Sequence, residues 1–190
     1  MKKVVFLLIA VFIFTSCLDD IKSKFSPEKN VSFETVKIEN RYRLKIPKYM
    51  KETTELNDDA SLQYMNTFKE AYVIVIDEPK DSFVTLFKDI DEYIDSISVL
   101  ENYKKVQTES FESFVTGFKV YNEEKQKING LNAITLNVDG AVEDFDVTYT
   151  YGFFEGKETL YMMLCWTEQS SKNKYKPTYK TMLESFSEVR

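Results

Sequence analysis

A chain of 190 residues with 25 Lys and Arg against 31 Asp and Glu carries a net charge of −6 and contains no histidine. The acidic balance argues against nucleic acid, whose phosphates demand a basic face, and against electrostatic docking on anionic lipid. The missing histidine removes Ser-His and Cys-His nucleophile pairs and the commonest zinc ligand.

Met1-Lys2-Lys3 is a short positive start, and Val4 to Phe14 is an unbroken apolar run. That run is shorter than the ~20 apolar residues a spanning helix needs, and it has the n-region and h-region of an export signal. Thr15-Ser16-Cys17 closes it and resembles a bacterial lipobox, with Phe14 where Leu is usual. The expected layout is a signal peptide over 1–16, a lipidated Cys17 leading a tether over 17–30, and a single domain over 31–190. An ordinary cleaved secretory peptide followed by a chance cysteine is the alternative, as is an uncleaved anchor, which the short run disfavours. One acyl chain anchors only marginally, at about 0.8 kcal/mol per buried CH₂, so the two or three chains of a lipoprotein cysteine are what make attachment stable. Asp19-Asp20 resembles the acidic start of some surface lipoproteins of Gram-negative bacteria, or simply opens a solvated tether. The expected location is the bacterial cell envelope, on the outer membrane, facing the periplasm or the surface. Loss of Lys2 and Lys3 takes the charge from −6 to −8.

Val31 to Val36 reads as a first strand. In Asn40 to Ile46, Tyr42, Leu44 and Ile46 alternate with Arg41, Arg43 and Lys45, the period of a half-buried strand that Pro47 ends. Ala60 to Phe68 alternates, Thr67 to Lys69 turns, and Ala71 to Ile76 is a continuous apolar run typical of a strand buried on both faces. The pair predicts a hairpin. After Glu78-Pro79, Phe83, Leu86, Phe87, Ile90, Tyr93, Ile94, Ile97 and Leu100 fall on one stripe and predict a single long helix, capped by Asp81 or Ser82. Phe111 to Gly117 reads as strand, continued by Phe118 to Tyr121. Asn129-Gly130 and Asp139-Gly140 are turn signals around a strand over Ala133 to Val138. Phe145 to Phe154 and Leu160 to Thr167 then complete a meander, with Gly152 and Glu155-Gly156-Lys157 marking the hairpin between them. Glu168 to Lys174 reads as a loop. Tyr175 to Phe186 closes the chain as a helix with Pro177 in its first turn.

This order predicts an α+β fold, an antiparallel sheet flanked by one long helix and a C-terminal helix. Tyr42-Arg43-Leu44-Lys45-Ile46-Pro47, Ile128-Asn129-Gly130-Leu131-Asn132-Ala133, Tyr161 to Trp166 and Met182-Leu183-Glu184-Ser185-Phe186, in this layout, resemble the PsbP-like family, whose superfamily also holds the Ran-binding protein Mog. The resemblance implies a PsbP-like α/β sandwich over most of residues 31–190 and, by analogy with its mostly non-catalytic members, an adaptor or binding protein. The photosystem role of the plant members does not carry over, because no matching functional residues are present.

Cys17 is assigned to lipid, so Cys165 has no disulfide partner in the mature chain. In the run Leu160 to Trp166 it is expected to be a buried, inert thiol. Tyr149 and Tyr151 share one strand face and, with Tyr161 or Trp166 nearby, are candidates to stack on a ligand; packing under the helices is the plainer expectation. Asp139, Glu143, Asp144 and Asp146 are the densest acidic cluster and the candidates for Ca²⁺. Their spacing departs from the EF-hand loop, so a solvated hairpin is expected, with no cofactor and no metal. The leading expectation is a non-catalytic envelope lipoprotein with a protein partner. A small-ligand or glycan carrier is the alternative, distinguished by an apolar pocket between sheet and helix. An enzyme is not expected.

Cys17→Ser is predicted to abolish metabolic acyl labelling and to release or mislocalise the domain without unfolding it. A variant that stays membrane-bound, with wild type unlabelled, would refute the anchor.

Overall fold

The computed structural model describes residues 26–189; the signal peptide, Cys17 and most of the expected tether lie outside them. The alternation at 42–46 sets the first piece of the fold. Strand β1 (Phe33–Ile38) pairs antiparallel with β2 (Tyr42–Pro47), which also pairs with the terminal β10 (Ser187–Glu188). Tyr42, Leu44 and Ile46 are all buried on one face of this small sheet, as the pattern predicts.

The main sheet has seven antiparallel strands in the order β3 (Lys51–Glu52), β4 (Leu62–Asn66), β5 (Ala71–Pro79), β9 (Thr159–Glu168), β8 (Phe145–Glu155), β7 (Leu131–Val142) and β6 (Thr116–Ile128). The β4–β5 hairpin and the meander from β7 to β9 fall where the sequence puts them. Helices cover both faces. On one side, α3 (Lys172–Ser185) and the small sheet pack with Val73, Val75, Tyr161, Met163 and Cys165. On the other, α1 (Lys80–Asp89) and α2 (Val99–Glu112) pack with Ile74, Tyr151, Phe153, Met162 and Leu164. Strand β5 therefore feeds both cores, as its unbroken apolar run requires.

The single long helix is two. Helix α1 ends at Asp89, and Asp91 takes a left-handed φ of 59°, the conformation that ends many helices. A second start lies at Ser98. Its hydroxyl accepts from the Glu101 N–H, and the Glu101 carboxylate accepts from the Ser98 N–H at 3.1 Å, a complete capping box. Asn102, buried, donates to the carbonyls of Ile94 and Ser98 and accepts from the Ile94 N–H at 2.8 Å, fastening the linker to α2. Leu86, Ile90 and Ile94, which the apolar stripe places on a buried face, are more than a third exposed. The first turn of α1 follows Pro79 and has no side-chain cap, so neither Asp81 nor Ser82 serves.

Other expectations shift as well. Phe111 lies in α2 rather than in a strand, because α2 runs on to Glu112. Asp139-Gly140 sits inside β7, and the turn falls at Glu143-Asp144, where Glu143 supplies the positive φ. Gly152 is in mid-strand; a Cβ there would meet Leu183 of α3 at 2.4 Å, so the glycine admits the helix rather than making a turn. Pro177 lies beyond the first turn of α3, which starts at Lys172, inside the expected loop. Asn129-Gly130 does form the β6–β7 turn, both residues at positive φ.

Ser98→Ala is predicted to lower the unfolding free energy by about 1 kcal/mol, the usual cost of losing a cap, as a reduced urea midpoint with an unchanged m-value.

Candidate functional site

The register of the main sheet builds the floor of a cleft. Tyr72 faces Trp166, which faces Tyr149. One step along the strands, Ile74 faces Leu164, which faces Tyr151; one step further, Ile76 faces Met162, which faces Phe153. Alternation puts all three rows on the α2 side. Helix α2 crosses only part of this floor. Phe111 meets Tyr149 edge-on at 4.8 Å and Tyr151 at 5.9 Å, and Tyr103 meets Phe153 edge-on at 5.9 Å. Over β5 and β9 the floor stays open, leaving a cavity of about 360 Å³ between Gln107, Ser110, Phe111 and Phe114 on one side and Leu56-Asn57 on the other.

The far wall is held in place. Gln63, buried, accepts from the N–H groups of Leu56 and Asn57 at 2.9 and 3.0 Å and donates to the Asn57 carbonyl at 2.6 Å. The lining is apolar apart from a few groups. Tyr151 is fully buried, yet its hydroxyl has no hydrogen-bond partner among the described residues, which is costly for a desolvated polar group. Burial pushes its pKa well above the ordinary tyrosine value, and pushes that of Tyr149 up to about 12. Gln107 donates to Glu78 at 3.0 Å; burial raises the Glu78 pKa, and the Gln107 hydrogen bond only partly offsets it. Trp166, the single tryptophan of the chain, stacks on Tyr72 at 5.1 Å and 12° and lines the cavity. Such a site can hold an apolar body and offer one or two hydrogen bonds.

Of the four aromatic candidates, Tyr149, Tyr151 and Trp166 come together here. Tyr161 does not. It lies on the opposite face, edge-on to Tyr42 at 5.5 Å, its hydroxyl donating to Glu188 at 3.1 Å. The acidic candidates are divided too. The Asp139 carboxylate accepts from Tyr121 at 2.8 Å and Thr148 at 2.7 Å and pairs with Lys172 at 2.8 Å. Burial alone would raise its pKa, but the hydrogen bonds from Lys172, Thr148 and Tyr121 hold it below the usual carboxylate range. Glu143 and Asp144 form the hairpin tip and Asp146 is exposed beside it. Among the described residues, no three Cys, Asp or Glu side chains are grouped to hold a metal ion. Cys165 is completely buried, and burial pushes its thiol far above the usual range, the state of an inert thiol. The cleft residues not anticipated from sequence are Phe111, Phe114, Gln107 and Leu56; the Ser98-to-Glu101 capping box was the available signal that 99–112 is helix.

With these strand rows and two-sided helix layers, the chain has a PsbP-like α+β fold. No family model matches the sequence, and no curated protein does. Solved structures do: LpqN, involved in cell envelope biogenesis in Mycobacterium tuberculosis, is 9% identical with a TM-score of 0.54 over 91% of this chain and 96% of that one. Cyanobacterial PsbP (CyanoP) from Synechocystis sp. PCC 6803 is 12% identical with a TM-score of 0.53 over 84% and 94%. A protein of unknown function from Pseudomonas aeruginosa is 15% identical with a TM-score of 0.49 over 80% and 94%. At these identities the likeness is one of fold. No helix among the described residues is long and apolar enough to cross a membrane.

Tyr151→Phe is predicted to leave the unliganded domain as stable or to stabilise it by up to about 1 kcal/mol, since it removes a buried hydroxyl that has no partner among the described residues. Urea unfolding checks this; a loss above 1 kcal/mol would mean that the hydroxyl is satisfied in solution.

Proposed function

We propose that the chain is a non-catalytic, lipid-anchored envelope protein whose domain holds a small amphipathic molecule between the main sheet and α2. The observation that carries this reading is the apolar cleft of about 360 Å³ between the main sheet and α2, lined by Tyr149, Trp166, Gln107 and Ser110. The ligand this chemistry selects has an apolar body and one polar end able to bond Gln107 or Ser110. The absence of histidine from the chain and the inert state of Cys165 favour binding over catalysis. An envelope setting is supported by the lipobox-like Thr15-Ser16-Cys17 and is the setting named for LpqN, which shares the fold.

Trp166 reports on the cleft directly. Titration with straight-chain alcohols from octanol to dodecanol is predicted to change its emission saturably, with affinity rising with chain length. Ser110→Phe, which fills the cleft, should abolish the response. A response that does not saturate, or that survives Ser110→Phe, overturns the reading.

A further inference from the structure

The three most exposed large apolar side chains among the described residues are Phe68, Phe114 and Phe145, at 100%, 74% and 68%. Single exposed apolar residues are common and need no account. These three share an end of the main sheet. Phe68 lies in the turn before Ala71, whose neighbour Tyr72 is opposite Trp166 and, through it, Tyr149. Phe145 is four residues beyond Tyr149 in the same direction, paired with Val142. Phe114 precedes Thr116, which pairs with Ala141 at that same end.

The chain also enters the domain there. The Glu28 N–H donates to the Lys174 carbonyl of α3 at 3.0 Å. The Glu28 carboxylate accepts from Tyr49 at 2.8 Å, Thr178 at 2.9 Å and the Lys69 ammonium at 3.2 Å, and its side chain is only 7% exposed. Tyr175 donates to the Lys69 carbonyl at 2.8 Å, tying the same turn to α3. The expected tether thus ends at Glu28, within residues 17–30, and it ends on the residue next to Phe68.

We propose that this end of the domain docks on the bilayer, with Phe68 and Phe145 entering the interfacial layer; the proposal rests on the reading of Cys17 as the anchor. From Cys17 to Glu28 the chain spans at most about 40 Å fully extended, so an anchor at Cys17 keeps this end within that distance of the membrane. Phe side chains on interfacial surfaces bury at the headgroup–acyl boundary, while Lys69 beside Phe68 keeps its ammonium on Glu28 at 3.2 Å. Glu70, Glu143, Asp144 and Asp146 flank the rings. They oppose attraction to anionic lipid, so the contact is apolar and suits a zwitterionic surface. It is too weak to recruit a free domain, and the anchor makes it intramolecular at millimolar effective concentration.

The test couples the mature chain, starting at Cys17, through that thiol to a maleimide phospholipid in phosphatidylcholine vesicles; buried Cys165 stays unreacted. This makes docking measurable whether or not cells lipidate Cys17, which acyl labelling decides separately. In a Trp166→Phe background, Phe68→Trp and Phe145→Trp should show blue-shifted emission and strong quenching by brominated phosphatidylcholine. Leu86→Trp, on α1, should show neither, and uncoupled protein should show no quenching at any position. Absence of quenching at 68 and 145, or equal quenching at 86, overturns the proposal; so does quenching that persists in uncoupled chains, which would mean the surface binds lipid without the anchor.

Discussion

The register between β5, β9 and β8 is the constraint on which the rest of this structure depends. These central strands are apolar on both faces because helices lie on both sides of the sheet, and the pairing of Ile74 with Leu164 and of Val75 with Met163 allots alternate residues to two different cores. A slip of one residue would exchange the faces. It would drive the Tyr161 ring, now packed on Tyr42 and Phe186, into the α2 layer, and would send Trp166 under α3. The same register lines up Tyr72, Trp166 and Tyr149 across three strands. Core and cleft floor are therefore one construction.

Period-two signals were legible because they need only local information. Strand β2, the β4–β5 hairpin, the Asn129-Gly130 turn and the β8–β9 hairpin follow from alternation and turn chemistry. The helical region was misread where the 3.6-residue period continued across a break: Ile90, Tyr93 and Ile94 keep the phase of the stripe, and only the Ser98–Glu101 capping box marks a new start. That error hid Phe111 and Gln107, and with them one wall of the cleft. Parity could have separated Tyr161 from the other candidates, since residues 161 and 166 of one strand point to opposite faces. Asp139-Gly140 looked like a turn because both residues favour turns. In the fold Asp139 is instead drawn into β7 by its three partners, Tyr121, Thr148 and Lys172, and no local pattern announces a partner 33 residues away.

Glu28 presents the same problem from the other direction. Its surroundings, with Ser26-Pro27 on one side and Lys29-Asn30 on the other, read as solvated tether. Its partners Tyr49, Lys69 and Thr178 come from three separate segments that only the folded domain brings together. A carboxylate so enclosed is stable only when its acceptor sites are occupied, and here three donors occupy them. The consequence is mechanical: the point where Glu28 joins the domain is fixed relative to the sheet, and on the proposed anchoring that would give the domain a defined end toward the bilayer.

Phe114 joins the two proposals. It lines the cleft between the sheet and α2 and is also one of the exposed rings at the end where the chain enters. On the proposed orientation, the cleft then has a wall that reaches the bilayer surface, and an amphipathic molecule can pass between lipid and cleft without its apolar body crossing open water. The energetics favour such a path: each CH₂ exposed in transit costs about 0.8 kcal/mol, so a continuous apolar contact lowers the barrier to exchange more steeply the longer the chain carried. A cleft walled off from the anchored end would gain nothing from the tether. With Phe114 shared between the two, anchoring and binding would, on these proposals, serve the same step.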